Sequence, residues 1–119
     1  MGEQRLSTRP LVALYDAFVD YTTVADTWAD AGTWDCMLLK TKAFSFAATT
    51  HNLNAKILGS MDGGATYPHE VEASFLLTAA AAPTTKSVTA YYTNLKIQVQ
   101  PAGAGDNGKL STQYAGASF

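Results

Sequence analysis

Residues 94–100, NLKIQVQ, alternate without a break: Leu95, Ile97 and Val99 against Asn94, Lys96, Gln98 and Gln100. A period of two is the signature of a strand with one buried face, because successive side chains point to opposite sides of the pleat. A helix of this sequence would scatter its apolar groups around the whole cylinder. Four further runs repeat the pattern. Phe44, Phe46 and Ala48 share a face in residues 43–48, and Leu53, Ala55 and Ile57 share one in 53–60. In residues 70–78, Val71, Ala73, Phe75 and Leu77 oppose Glu70, Glu72 and Ser74. In residues 109–115, Leu110, Thr112 and Tyr114 lie together. Short strands bounded by turn residues at this spacing predict an all-β chain, an antiparallel β-sandwich or jelly-roll-like domain.

The punctuation agrees. MDGG at 61–64 is a turn signal between two strands, and PAGAGDNG at 101–108 reads as an exposed hairpin end. Pro83 in AAAAPTTK cannot donate to a ladder and marks a break or an edge. Residues 11–32 fit either a helical stripe through Leu11, Leu14, Phe18, Tyr21, Ala25 and Trp28, or a strand. Their β-branched and aromatic content favours a strand to about residue 22, followed by a loop to Trp34. Residues 1–12, with Arg5 and Arg9 and few apolar groups, read as an N-terminal arm that orders on docking. A single domain then fills 13–119.

Composition narrows the function classes. Hydrophobic residues make up 47% of the 119, enough for one core, but charged residues make up only 15%, against about 25% in soluble proteins generally. So few charges suit a subunit in lasting contact with others. The net charge of −2 and the lack of a basic stripe supply no electrostatic drive toward nucleic acid. No apolar run approaches the length of a membrane helix. The start, MGEQRLSTRP, lacks the apolar segment of a secretory signal, which predicts a chain made in the cytosol and not exported through a signal peptide.

The chemistry-bearing residues are sparse. His51 and His69 have no close His or Cys partner, so neither starts a metal site. His51 reads as a solvent-facing loop residue, and Glu70 and Glu72 beside His69 read as a solvated strand face. Cys36 has no local cation or helix terminus to activate it and reads as a small core residue. Gly103, Gly108 and Lys109 match phosphate-loop spacing, but Leu110 stands where Ser or Thr would hold magnesium. In ILGSMDGGATY, residues 57–67, Asp62 is a lone acid, short of the acids a calcium loop needs. The stretch reads as a hairpin tip in which Asp62 is an ordinary surface residue, and Asp62→Asn is expected to change stability by less than about 1 kcal/mol. No cofactor and no catalytic constellation are expected.

NAKILGSMDGGATY, residues 54–67, resembles the strand–GS-x-DGG-x-x-aromatic–strand hairpin of small β-sandwich virion proteins of tailed bacteriophages. An earlier Asp16-Ala17-Phe18 and Gly32-Thr33-Trp34, and a late AYYTNLKIQVQPAGAGDNGKLST, extend the resemblance over residues 10–115. It implies a structural role in the virion, decorating or cementing the capsid through the major capsid protein, often as a homotrimer, or a place in the tail. It brings no catalytic residue. Under this resemblance the interface candidates are Arg5, Leu6, Arg9 and Leu11 in the arm, with Trp28, Trp34, Tyr91 and Tyr92, aromatics that alternation does not bury. A carbohydrate-binding sandwich is the alternative, and a planar row of aromatics on one exposed face would favour it.

Overall fold

The computed structural model describes residues 13–37 and 39–118, so the arm assigned to residues 1–12, with Arg5, Leu6, Arg9 and Leu11, lies outside the described residues. Nine strands follow in chain order: β1 Ala13–Tyr15, β2 Val19–Thr22, β3 Ala29–Asp35, β4 Thr41–Thr49, β5 Leu53–Ser60, β6 His69–Leu77, β7 Thr84–Val88, β8 Asn94–Pro101 and β9 Lys109–Ala117. They form two antiparallel sheets. Sheet A runs β1-β9-β4-β7, with β2 also on β9, and sheet B runs β3-β8-β5-β6. β1 and β2 line up end to end along one edge of β9 and act as a single interrupted strand. Among the connections between named strands, all but β1–β2 and β5–β6 pass from one sheet to the other. Eight strands in two layers with this order make a jelly roll, the predicted class.

The five alternating runs become β4, β5, β6, β8 and β9, and their apolar rows form the core. Phe44, Phe46 and Leu110 of sheet A face Leu53, Ile57, Leu95, Ile97 and Val99 of sheet B, all fully buried. Aromatic rings link the layers: Trp34 of sheet B meets Phe44 edge-on at 5.1 Å and stacks on Tyr114 at 5.9 Å, and Phe46 meets Phe75 at 5.2 Å. Edge-to-face geometry suits the ring quadrupoles and adds to the area term.

Pro83 precedes β7, an edge strand, as expected of a break or an edge. Three expectations change. Residues 29–35 are a strand, not part of a loop. Its Ala, Gly and Asp content hides it, and a register shift between Asp30 and Gly32 breaks the alternation. Residues 101–108 are no hairpin, because β8 belongs to sheet B and β9 to sheet A, so this segment crosses between the layers. Glu72 does not sit on a simple solvated face: β6 slips register against β5 on both sides of Ile57, Glu72 lies opposite Ile57, and its carboxylate reaches Lys86 of β7 at 3.3 Å.

Lys42 departs furthest from pattern. It occupies an inward position of β4 beside Phe44 and is 2% exposed. Its ammonium donates to the carbonyls of Ala90 at 2.8 Å and Leu39 at 3.4 Å, which replaces the water it loses. Burial pushes its pKa down, partly opposed by the neighbouring Cys36.

Phe44→Ala removes the ring that Trp34, Phe46 and Tyr114 all pack against. Denaturant unfolding should show a loss of about 3–5 kcal/mol, whereas Phe18→Ala, at a ring 51% exposed, should stay within about 0.5 kcal/mol.

Candidate functional site

The loop between β5 and β6, residues 61–68, is built around Asp62. The Ser60 hydroxyl donates to Asp62 Oδ1 at 2.6 Å, the Thr66 hydroxyl to Oδ2 at 2.6 Å, and the Thr66 N–H to Oδ1 at 3.0 Å. Ser60, fully buried, also accepts the Gly64 N–H at 2.9 Å. Gly63 and Gly64 take φ of 77° and 92°, which side chains disfavour. The Gly63 N–H donates to Thr93 Oγ1 at 3.0 Å, and the Thr93 hydroxyl donates to the Ser60 carbonyl. Asp62 therefore does more than tolerate a turn. Three donors, the Ser60 hydroxyl foremost, hold its carboxyl well below the usual carboxylate range. Both oxygens are engaged within the loop, which is the opposite of a preformed calcium ligand.

The second glycine-rich loop, residues 102–108, is locked the same way. The Gly105 N–H donates to Asp26 Oδ1 at 2.9 Å, and the Gly108 N–H to Thr23 Oγ1 at 3.0 Å. A phosphate cradle needs such N–H groups free. A Cβ on Gly108 would come within 2.9 Å of the Thr49 carbonyl, so close packing of backbone explains this glycine. His51 is exposed in the adjoining turn, as expected, with Nδ1 2.8 Å from the Asn107 carbonyl oxygen.

Asp16-Ala17-Phe18 and Gly32-Thr33-Trp34 meet in space. Trp34 Nε1–H donates to Asp16 Oδ2 at 2.7 Å, and the Asp16 N–H donates to the Tyr114 carbonyl. A Cβ on Gly32 would lie 2.7 Å from the Trp34 ring. The two motifs are thus one clamp that breaks the edge strand between β1 and β2 and ties it to β3.

The aromatic candidates scatter. Trp34, expected at an interface, is 8% exposed and belongs to the core, because its indole is the inter-sheet wedge. Tyr92 is half-buried, and its ring packs on Gly59. Trp28 is half-buried on the outer face of sheet B, with the Lys56 ammonium 4.4 Å from its ring, and Tyr67 carries Lys96 at the same distance. Tyr91 is 56% exposed. Pattern reading missed Tyr15, 81% exposed on β1, since no partner run in the sequence shows which way so short a strand faces.

Burial pushes the Cys36 thiol up, and its Sγ–H donates to the Tyr92 carbonyl, so it packs as the core residue expected. Among the described residues no three His, Cys, Asp or Glu side chains converge on a metal position.

No family model and no curated protein matches the chain. Solved structures do. A Bacillus endospore appendage protein, from a family of disulfide-linked pili, superposes with a TM-score of 0.52 at 13% identity, over 92% of this chain and 89% of that one. A chain from the structure of infectious bursal disease virus, Gx strain, gives 0.54 at 16% identity over 91% of this chain. The VP2 subviral particle of the same virus gives 0.51 at 14% identity over 92%. This chain spans about a third of the length of either viral chain. The likeness is one of fold: a jelly-roll sandwich.

Gly32→Ala forces a methyl into the Trp34 ring and should cost about 1–3 kcal/mol, read by denaturant melts alongside loss of indole burial in fluorescence. Asp62→Asn should loosen residues 61–67, seen as faster amide exchange at Gly64 and Thr66. Because the folded carboxyl titrates below its ordinary 3.8, its stabilisation is complete above that pH and is lost as pH falls through the folded value. The two proteins should therefore differ at pH 7 and converge in strong acid. Equal exchange at pH 7, or a calcium-dependent melting shift that Asp62→Asn abolishes, contradicts the loop-organising role.

Proposed function

We propose that the chain is a structural protein of a virus particle: a bacteriophage decoration or cement subunit that seats on the outer capsid surface and contacts the major capsid protein. The observation that carries this reading is how its polar groups are used. Asp62, the one acid the sequence offered as a possible ligand, and Asp16, Asp26 and Thr23 all close loops or clamp strands. A scaffold whose loops are fixed internally suits a part held in a lattice, where many copies make small contacts and avidity supplies the binding. The jelly-roll likeness to viral shell proteins supports it at the level of fold. The docking segment in this reading is residues 1–12, with Arg5, Leu6, Arg9 and Leu11 as contacts, and Tyr91 is a further contact. The carbohydrate reading draws less support, because the rings of Trp28 and Tyr67 each lie under a lysine ammonium rather than forming a bare platform.

The test is co-sedimentation with capsids assembled without this protein. The full chain should pellet with the particles, and a chain lacking residues 1–10 should keep its circular dichroism and melting but stay in the supernatant. Equal pelleting of the truncated chain sinks the docking role of the arm, and failure of both sinks the capsid reading.

A further inference from the structure

The two outer faces of the sandwich differ in chemistry. Sheet B presents Lys56, Lys96, Asp30 and Gln98, paired among themselves: Lys96 meets Asp30 at 3.2 Å, and Gln98 donates to Asp30 at 2.9 Å. This is a solvated face. Sheet A is inverted. Its β4 turns Lys42 inward and Ala43, Ser45 and Ala47 outward. The register extends these outward positions into rows: Tyr15–Ala115–Ala43–Ser87, then Gln113–Ser45–Thr85, then Ser111–Ala47. Among the described residues, the charged side chains at outward strand positions of this sheet are Asp20 and Lys109, at one end and 3.5 Å from each other.

Tyr15 stands at the rim of this face beside a trough of about 480 Å³ floored by Ala43, Ala115, Gly116 and Ala117. Phe18, in the break between β1 and β2 on the same edge, is 51% exposed. Small side chains let another surface approach closely, and an exposed tyrosine next to an apolar hollow is the pairing that interface anchors use.

We infer that the outer face of sheet A is where a second copy of this chain docks, face to face about a two-fold axis, with Tyr15 of each copy entering the other's trough. Charge selects this occupant. Apart from the Asp20–Lys109 pair at its end, the face offers no counter-charge to nucleic acid or to an acidic surface. Set against themselves, its central rows bury alanine on alanine and hydroxyl on hydroxyl with no charge to desolvate. A two-fold contact needs one self-complementary patch, and a knob beside its own hollow provides that. Size agrees. Nine-residue strands and three inter-strand spacings, with side chains, give a face of about 30 by 20 Å. The rim residues bring it toward the about 800 Å² per partner of a standard interface. The inference departs from the trimer that the phage resemblance implies. It stands apart from the capsid reading, whose pelleting assay is a separate measurement.

Sedimentation equilibrium of the full chain tests it. The expected mass is twice the 12.6 kDa of one chain. The pair Ala43→Arg and Ala115→Arg should return it to one chain, and Tyr15→Ala should weaken association about 10-fold or more. Lys56→Ala, on the opposite face, should leave it unchanged. Should the arginine variant not fold, Ser45→Cys, the single accessible thiol beside the buried Cys36, should crosslink between copies through a short bis-maleimide, and Lys56→Cys should not. A monomer, a larger assembly, a dimer indifferent to the face substitutions, or crosslinking equal at both cysteines overturns the inference.

Discussion

The indole of Trp34 is the piece on which the two layers depend. Its ring lies against Phe44 and Tyr114 of sheet A while its strand belongs to sheet B, and its N–H is held by Asp16. A buried indole needs a partner for its N–H, and a carboxylate acceptor makes the stronger, charge-assisted bond. That single contact explains three local facts. Gly32 has no side chain because the ring occupies its space. The edge strand breaks at residues 16–18 because Asp16 turns toward the indole, with its N–H fixed on Tyr114. β2 then resumes pairing with β9 four residues on.

The same economy governs the loops. Asp62, Thr66, Ser60 and Thr93 form one hydrogen-bonded knot above sheet B, and Thr23, Asp26 and Asn107 form another at a crossing between the sheets. Loops between strands expose backbone donors that no ladder satisfies, and these side chains satisfy them. Residues that look like ligands in one dimension are consumed by that need. This is why neither loop offers free ligands, and why the open surface lies on a sheet face instead.

The inversion of β4 sets the character of sheet A's outer face. A lysine inside and alanines outside reverse the usual polarity of a half-buried strand. Inside, Lys42 is tolerated because two carbonyls at the end of the sandwich meet its ammonium. Outside, Ala43 and Ala47 and the alanines of β9 leave a face with little to gain from water. A low proportion of charge in the whole chain becomes, in three dimensions, an uneven distribution between two faces.

Five strands, their buried rows and the all-β class were legible in the sequence. Period-two alternation is a local property, and residues such as Leu95, Ile97 and Val99 carry it without reference to partners. The core assignment of Cys36 was legible for the same reason: nothing near it offered activation. What sequence could not show is pairing. Whether residues 101–108 turn back or cross over depends on which sheet β9 joins. Whether residues 29–35 form a strand depends on β8 being there to pair, since Ala, Gly and Asp supply no propensity of their own. Trp34 read as exposed because alternation fails across the bulge at Asp30 and Gly32. Asp62 read as a bland turn residue because the hydroxyls that hold it, Ser60 and Thr66, become its partners only once the loop closes. Local patterning fixes which side of a strand is apolar, and only the tertiary structure decides what that side meets, because contacts between distant segments are set by the whole packing.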